Sequence, residues 1–140
     1  MNSIAIFPTP EQEDVLLRYC RMAARVYQSC YELRTRGNKY FNITDYAIRG
    51  TSPVGEFNGY PVWLVIRMAF VVSMDLLDGV DRDDIGSFFG LGSDATYTPN
   101  RGLTFENIPG YIQVQEGYVP VVMPDKTIHK MEDGWYMSWR

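Results

Sequence analysis

The sequence predicts an α+β fold: a helical bundle containing a helix-turn-helix, followed by a small antiparallel β-meander. Three observations predict it. Residues 10–36 and 61–79 carry apolar side chains at helical spacing between recognisable caps. Residues 83–98, "DDIGSFFGLGSDATYT", read as two short helical pieces around a glycine turn. After Asn100, apolar and polar residues alternate between turn signals. Residues 1–100 are thus expected to be helical, with 101–140 a meander packed on them, all in one unit.

The first helix opens at "TPEQ". Thr9 suits the cap, Pro10 the first helical position, and Gln12 completes a capping box. It should run to about Arg36 and stop at Gly37-Asn38. Val15, Tyr19, Met22, Ala23, Val26, Cys30 and Leu33 share one face, and Arg18, Arg21, Arg25 and Arg36 the other. Glu32–Arg36 is an i,i+4 pair. Thr44 is placed to cap a short helix ending at Gly50, and 51–61 reads as a loop. Pro61 starts the most apolar segment, "PVWLVIRMAFVVSMDLLDG", expected to be a central helix closed by Gly79. Asp81 and Ser93 are placed to cap the two pieces of the helix-turn-helix. In the tail, turns are expected at Glu116-Gly117, Pro124-Asp125 and Asp133-Gly134, with Pro120 marking an edge strand.

Composition narrows the function classes. Hydrophobic residues make up 46% of the 140, enough for a core. The net charge of −4 disfavours generic binding to polyanions, which relies on Lys and Arg. The longest apolar run is cut by Arg67 and is too short to span a bilayer, so no membrane association and a cytoplasmic location are expected. Cys20 and Cys30 lie ten positions apart on one helix, about 15 Å, too far to bridge, and read as reduced core thiols. With one histidine, His129, a Cys/His metal site and a Ser-His-Asp device are both disfavoured. His129 itself reads as a surface residue. No P-loop pattern occurs, no cofactor is implied, and carboxylates without a recognisable surround define no reaction, so the chain is expected not to be an enzyme.

"FNITDYAIRGTS", "IRMAFVV", "DRDDIGSFFG" and "SDATY" together resemble, over residues 41–97, the C-terminal DNA-binding domain of the bacterial replication initiator DnaA. Arg67, Gly86 and Gly90 fall at the family's spacing, and Thr96 falls on its second threonine. The resemblance implies a helix-turn-helix that places its second helix in the major groove. The family's Arg-Asp-His at the start of that helix is replaced around Gly92, Ser93 and Asp94, and its basic loop by "PVGEFNGYP", which carries no positive charge.

Two kinds of macromolecular binding follow as expectations. In the first, duplex DNA is contacted by Ser93, Thr96, Tyr97, Asn100 and Arg101, with Arg34 and Arg36 on the phosphates. In the second, the chain is an acidic protein-binding or inhibitory accessory module of phage or mobile-element type. It keeps the helix-turn-helix frame without reading DNA and meets a partner with a basic surface. Asp75, Asp78, Asp81, Asp83 and Asp84 would supply the acidic patch, with Trp135 and Trp139 as aromatic anchors. Arg67, set in an apolar helix, requires a carboxylate or carbonyl partner if buried.

Overall fold

In the computed structural model, residues 2–92, 95–120 and 126–139 are described. In chain order the elements are β1 (Asn2–Phe7), α1 (Pro10–Thr35), α2 (Tyr40–Arg49), α3 (Val62–Asp78), β2 (Phe88–Gly90), β3 (Thr96–Thr98), β4 (Gly102–Thr104), β5 (Gln113–Val114), β6 (Thr127–Met131) and β7 (Gly134–Trp139). One antiparallel sheet has the order β2-β6-β7-β1-β5, and β3-β4 forms a separate hairpin. The fold is α+β.

The long helices follow their sequence signals. Thr9 Oγ1 accepts the Gln12 N–H at 3.2 Å and Gln12 Oε1 accepts the Thr9 N–H at 2.9 Å. Such a cap contributes about 1 kcal/mol. Val15, Tyr19, Ala23, Val26 and Cys30 are buried along the expected stripe, joined by Leu16, Cys20 and Tyr27. Both thiols are free and buried, and burial pushes each up to about 12, which leaves little nucleophilic thiolate. The N-cap position of α2 falls on Lys39, whose side chain makes no cap bond, rather than on Thr44, which lies inside the helix. α3 buries Leu64, Val65, Met68, Ala69 and Val72 and closes on Gly79 in the left-handed region at φ 69°. The loop before it is anchored by Phe57, wholly buried, whose N–H donates to the Gly50 carbonyl at 2.7 Å.

The segment 83–98 departs from expectation. Among its described residues there is no helix: Ile85-Gly86 is a turn, Phe88–Gly90 a strand and Thr96–Thr98 a second strand. Where the helix-turn-helix is expected, the described residues form turns and two short strands, and Asp81 caps no helix. Ser93 and Asp94 lie outside the described residues. The physical reason is visible at Phe88 and Phe89, which are adjacent and both buried. A strand sends neighbours to opposite faces. Phe89 goes to Tyr19 and Phe105, and Phe88 to Tyr27 and the Arg82 guanidinium. The backbone of β2 pairs with β6, Phe88 opposite His129 and Phe89 opposite Ile128.

The tail keeps one of its expected hairpins. β6 and β7 pair with Met131 opposite Gly134, turning through Glu132-Asp133. Pro120 belongs to no strand, and the Pro124-Asp125 turn lies outside the described residues. The strand beside β7 comes from the chain's start: β1 pairs along its length, Ile4 opposite Met137 and Ile6 opposite Trp135. These four, with Ile128, line the core face of the sheet. The opposite face carries Ser3, Ser138, Thr127, His129 and Phe88.

Candidate functional site at the end of α3

α3 stops at Gly79, and the Gly79 and Val80 N–H groups both donate to the Asp75 carbonyl. This left-handed closure turns the chain back on itself, so Arg82, seven positions on, returns to the Asp75 side chain. Arg82 Nε donates to Asp75 Oδ2 at 2.5 Å and Nη2 to Oδ1 at 3.3 Å, a two-pronged guanidinium–carboxylate contact. Tyr27 on α1 donates its hydroxyl to the same Oδ2 at 2.8 Å. Arg82 Cζ lies 4.3 Å from the Phe88 ring centroid, and Nη1 reaches Asp84 at 3.4 Å. Burial works against the Arg82 charge, but the hydrogen bond and charge of Asp75 outweigh it, and its pKa is raised. Burial, then Asp75, raises that of Tyr27.

This cluster separates two concavities. On one side a groove of about 270 Å³ is lined by Tyr27, Gln28, Tyr31, Val80, Asp81, Arg82 and Ile85. Tyr31 stacks on Tyr27, centroids 6.1 Å apart, and remains exposed. Val80 is also exposed, and nearby at the end of α3 Leu77 is 78% exposed. Asp78, Asp81 and Asp83 are exposed, and Asp84 is half-buried against Arg82. Residues 75–84 hold five aspartates against one arginine, a surplus as large as that of the whole chain. On the other side, between α3 and the outer face of β6 and β7, lies a smaller cavity lined by Arg67, Phe70, Thr127, His129 and Ser138 among others.

The expected partner-binding set is thus divided. Asp78, Asp81 and Asp83 are on the surface. Asp75 is buried and committed to Arg82 and Tyr27, so it adds no free charge. Trp135 and Trp139 are both buried, and the Trp135 indole donates to Glu13 at 2.7 Å, so neither is an exposed anchor. They are core residues because β7 lies between β6 and β1 and turns 135, 137 and 139 inward.

The expected DNA-contacting residues are also divided. Thr96 and Tyr97 lie on β3, not on a recognition helix, because β3 pairs with β4 in register Tyr97 opposite Leu103. Tyr97, Asn100 and Arg101 line one groove with Phe7, Gln113 and Glu116. Arg101 is exposed, 5.8 Å from the Tyr111 ring centroid. Arg34 donates to the Asn38 carbonyl at 3.0 Å and Arg36 pairs with Glu32 at 2.5 Å. Both guanidiniums serve the end of α1 and do not line the Arg101 groove.

His129, expected at the surface, is half-buried. Its Nε2 is 2.8 Å from Ser138 Oγ and its ring stacks on Phe88. Burial lowers its pKa, Asp84 pulls the other way and Arg82 reinforces the lowering. The unfolded imidazole therefore takes up a proton more readily than the folded one. Stability is expected to be full above the ordinary pKa of about 6.5 and to fall as pH drops below it. Comparing melting temperatures at about pH 7.5 and about pH 5.5 should show a smaller drop in His129→Gln than in the parent protein. Equal drops would mean that His129 is not buried as a neutral ring.

Among the described residues, no group of three or more His, Cys, Asp or Glu is placed to hold a metal ion, and no helix is long and apolar enough to cross a membrane. No protein-family model matches the chain, and no curated protein sequence matches it. What defines the molecule is its α+β architecture and the acidic turn that follows α3.

Proposed function

We propose that this chain is a non-enzymatic protein-binding module that holds a basic partner against the groove at the end of α3. The observation that carries this reading is the meeting of exposed apolar side chains, Tyr31 and Val80, with Asp81 in one groove, flanked along the chain by the exposed aspartates Asp78 and Asp83. Exposed apolar surface ringed by charge is a feature of interaction sites. The partner chemistry follows from the rim: Lys or Arg residues flanking an apolar anchor. The anchor enters between Tyr31, Val80 and Ile85, and the cations meet the aspartates. Arg82 does not oppose them, because Asp75 and Asp84 already neutralise it.

Duplex DNA fits this surface poorly, since exposed carboxylates repel phosphates. A fluorescent amphipathic peptide of Lys and Leu, titrated by anisotropy beside a duplex DNA of mixed sequence, tests the proposal. The peptide is expected to bind, more weakly as salt rises. Val80→Asp and Tyr31→Ala should each reduce its affinity about tenfold, Val80→Asp with a stability change of less than about 0.5 kcal/mol and Tyr31→Ala with a loss of about 1 kcal/mol from its stacking on Tyr27. DNA binding at low salt that is lost in Arg101→Ala, with no binding of the peptide, would overturn the proposal in favour of nucleic-acid recognition.

A further inference from the structure

A second groove, of about 370 Å³, runs between the end of β1, the edge strand β5 and the turn that joins β3 to β4. Ligand clefts span about 300–1,000 Å³, so it has room for a small molecule. It shares no lining residue with the groove at the end of α3.

Backbone hydrogen bonds hold both walls. On one side the Arg101 N–H donates to the Thr98 carbonyl at 3.0 Å and closes the turn, with Asn100 inside it at φ 71°. Asparagine visits that left-handed conformation more readily than other side chains. On the other side Phe7 stands opposite Gln113 in register. The Gln115 N–H donates to the Ala5 carbonyl at 2.9 Å, and the Gln115 side-chain oxygen accepts the Ala5 N–H at 3.2 Å. Glu116 is thereby held at the rim.

The polar side chains on these walls are uncommitted. Among the described residues, none hydrogen-bonds the side-chain amides of Asn100 and Gln113 or the Glu116 carboxylate, and none ion-pairs with Arg101, which faces only the Tyr111 ring. Two aromatic rings line the same groove: Phe7, 55% exposed, and Tyr97, half-buried.

The balance of these groups selects the ligand. Arg101 and Glu116 carry opposite charges, so the groove is neutral and does not concentrate a polyanion. Ion pairs this exposed contribute little, so a small charged ligand gains little from either group. What remains is a pair of apolar ring faces beside planar amides that both donate and accept. A sugar matches both features, with a C–H face for the rings and hydroxyls that each donate and accept.

We propose that this groove binds a neutral oligosaccharide. Sugar rings lie against Phe7 and Tyr97, and Asn100, Arg101, Gln113 and Glu116 exchange hydrogen bonds with the hydroxyls. The site is independent of the groove at the end of α3, and either can exist without the other.

Titrating the full chain with cellotetraose, maltotetraose and tetra-N-acetylchitotetraose, followed by amide chemical shifts, tests the site. Saturable perturbations centred on Asn100, Arg101, Gln113 and Glu116 are expected with at least one of the three. The sugar that saturates identifies the linkage and substituent preferred. Its affinity should not change as salt rises, because the ligand carries no charge. Phe7→Ser should weaken it about tenfold, in line with loss of a stacking platform. Asn100→Gly should also weaken it about tenfold, since glycine keeps the φ of the turn and only the side-chain amide is lost. If Phe7→Ser does not fold, Asn100→Gly decides together with the titration of the parent protein. No saturable perturbation with any of the three sugars, perturbations centred outside the groove, or unchanged affinity in a folded Asn100→Gly would each overturn the assignment. Binding of an oligothymidylate at these residues, with no response to the sugars, would overturn it in favour of single-stranded nucleic acid.

Discussion

Replacing Asp75 by alanine is expected to lower the unfolding free energy by about 3 kcal/mol, the lower end of the range for breaking a buried ion pair from one side. Asp75 is 5% exposed and receives the Arg82 guanidinium and the Tyr27 hydroxyl together. Its removal leaves a cation and a hydroxyl with their principal acceptor gone. The Arg82 side chain keeps some access to water, which holds the penalty below that of a fully enclosed charge. Asp78→Ala, three positions on and exposed, should change stability by less than about 0.5 kcal/mol. Urea unfolding of the two variants checks the contrast, and similar midpoints would mean that Asp75 organises nothing. Because the contact also fixes the turn carrying Val80, Asp75→Ala should weaken partner binding as well, although Asp75 does not reach the surface.

Gly102→Ala is expected to cost about 3 kcal/mol, from a strained backbone and a steric clash acting together. Gly102 has φ +117°, and a Cβ there would lie 2.1 Å from the Ile112 carbonyl oxygen. That oxygen cannot easily retreat, since it accepts the Leu103 N–H at 2.9 Å, part of a reciprocal pair between 103 and 112. Gly86 provides the control: its φ of +97° is comparable, but nothing lies within 4 Å of its Cβ position. Gly86→Ala should therefore lose only about 1 kcal/mol, the conformational part alone. Equal losses in the two variants would remove the close approach of Gly102 to Ile112 from the account of the fold.

The parts of this fold legible in the sequence are those whose signals are local and long. α1 carries its cap, its Pro at the first position and its apolar periodicity within one unbroken stretch of 26 residues. α3 shows its Gly79 stop. β1 carries Ile4 and Ile6 alternating within only six residues, too few to stand out, and its place beside β7 is a pairing across the whole length of the chain. The segment around Phe88 is illegible for the same reason. A three-residue strand has no period, and glycines at 86, 90 and 92 suit a helical corner as well as a strand packed closely on a helix. Gly90 and Gly92 are in fact small because α3 passes there, with Arg67 and Trp63 against them.

The candidate site was half legible. The surplus of aspartate after α3 is plain in the sequence, and so is the unusual placing of Arg67. That Asp75 is internal was also partly signalled, by an Arg seven positions on and a helix-closing Gly between them. The half-burial of His129 is not legible, since alternation along β6 places it on the face away from the core. That this face is covered locally depends on α3 and the turn through Arg82, which β6 does not encode. The same long-range packing took Trp135 and Trp139 out of reach of any partner.

The groove at the end of α3 is proposed to receive a basic partner. Amide chemical-shift mapping with the Lys and Leu peptide tests it most directly. Perturbations are predicted to cluster at Tyr31, Val80, Asp81 and Ile85, and to vanish in Val80→Asp. Perturbations centred on Thr96–Arg101, or none at saturating peptide, would contradict it.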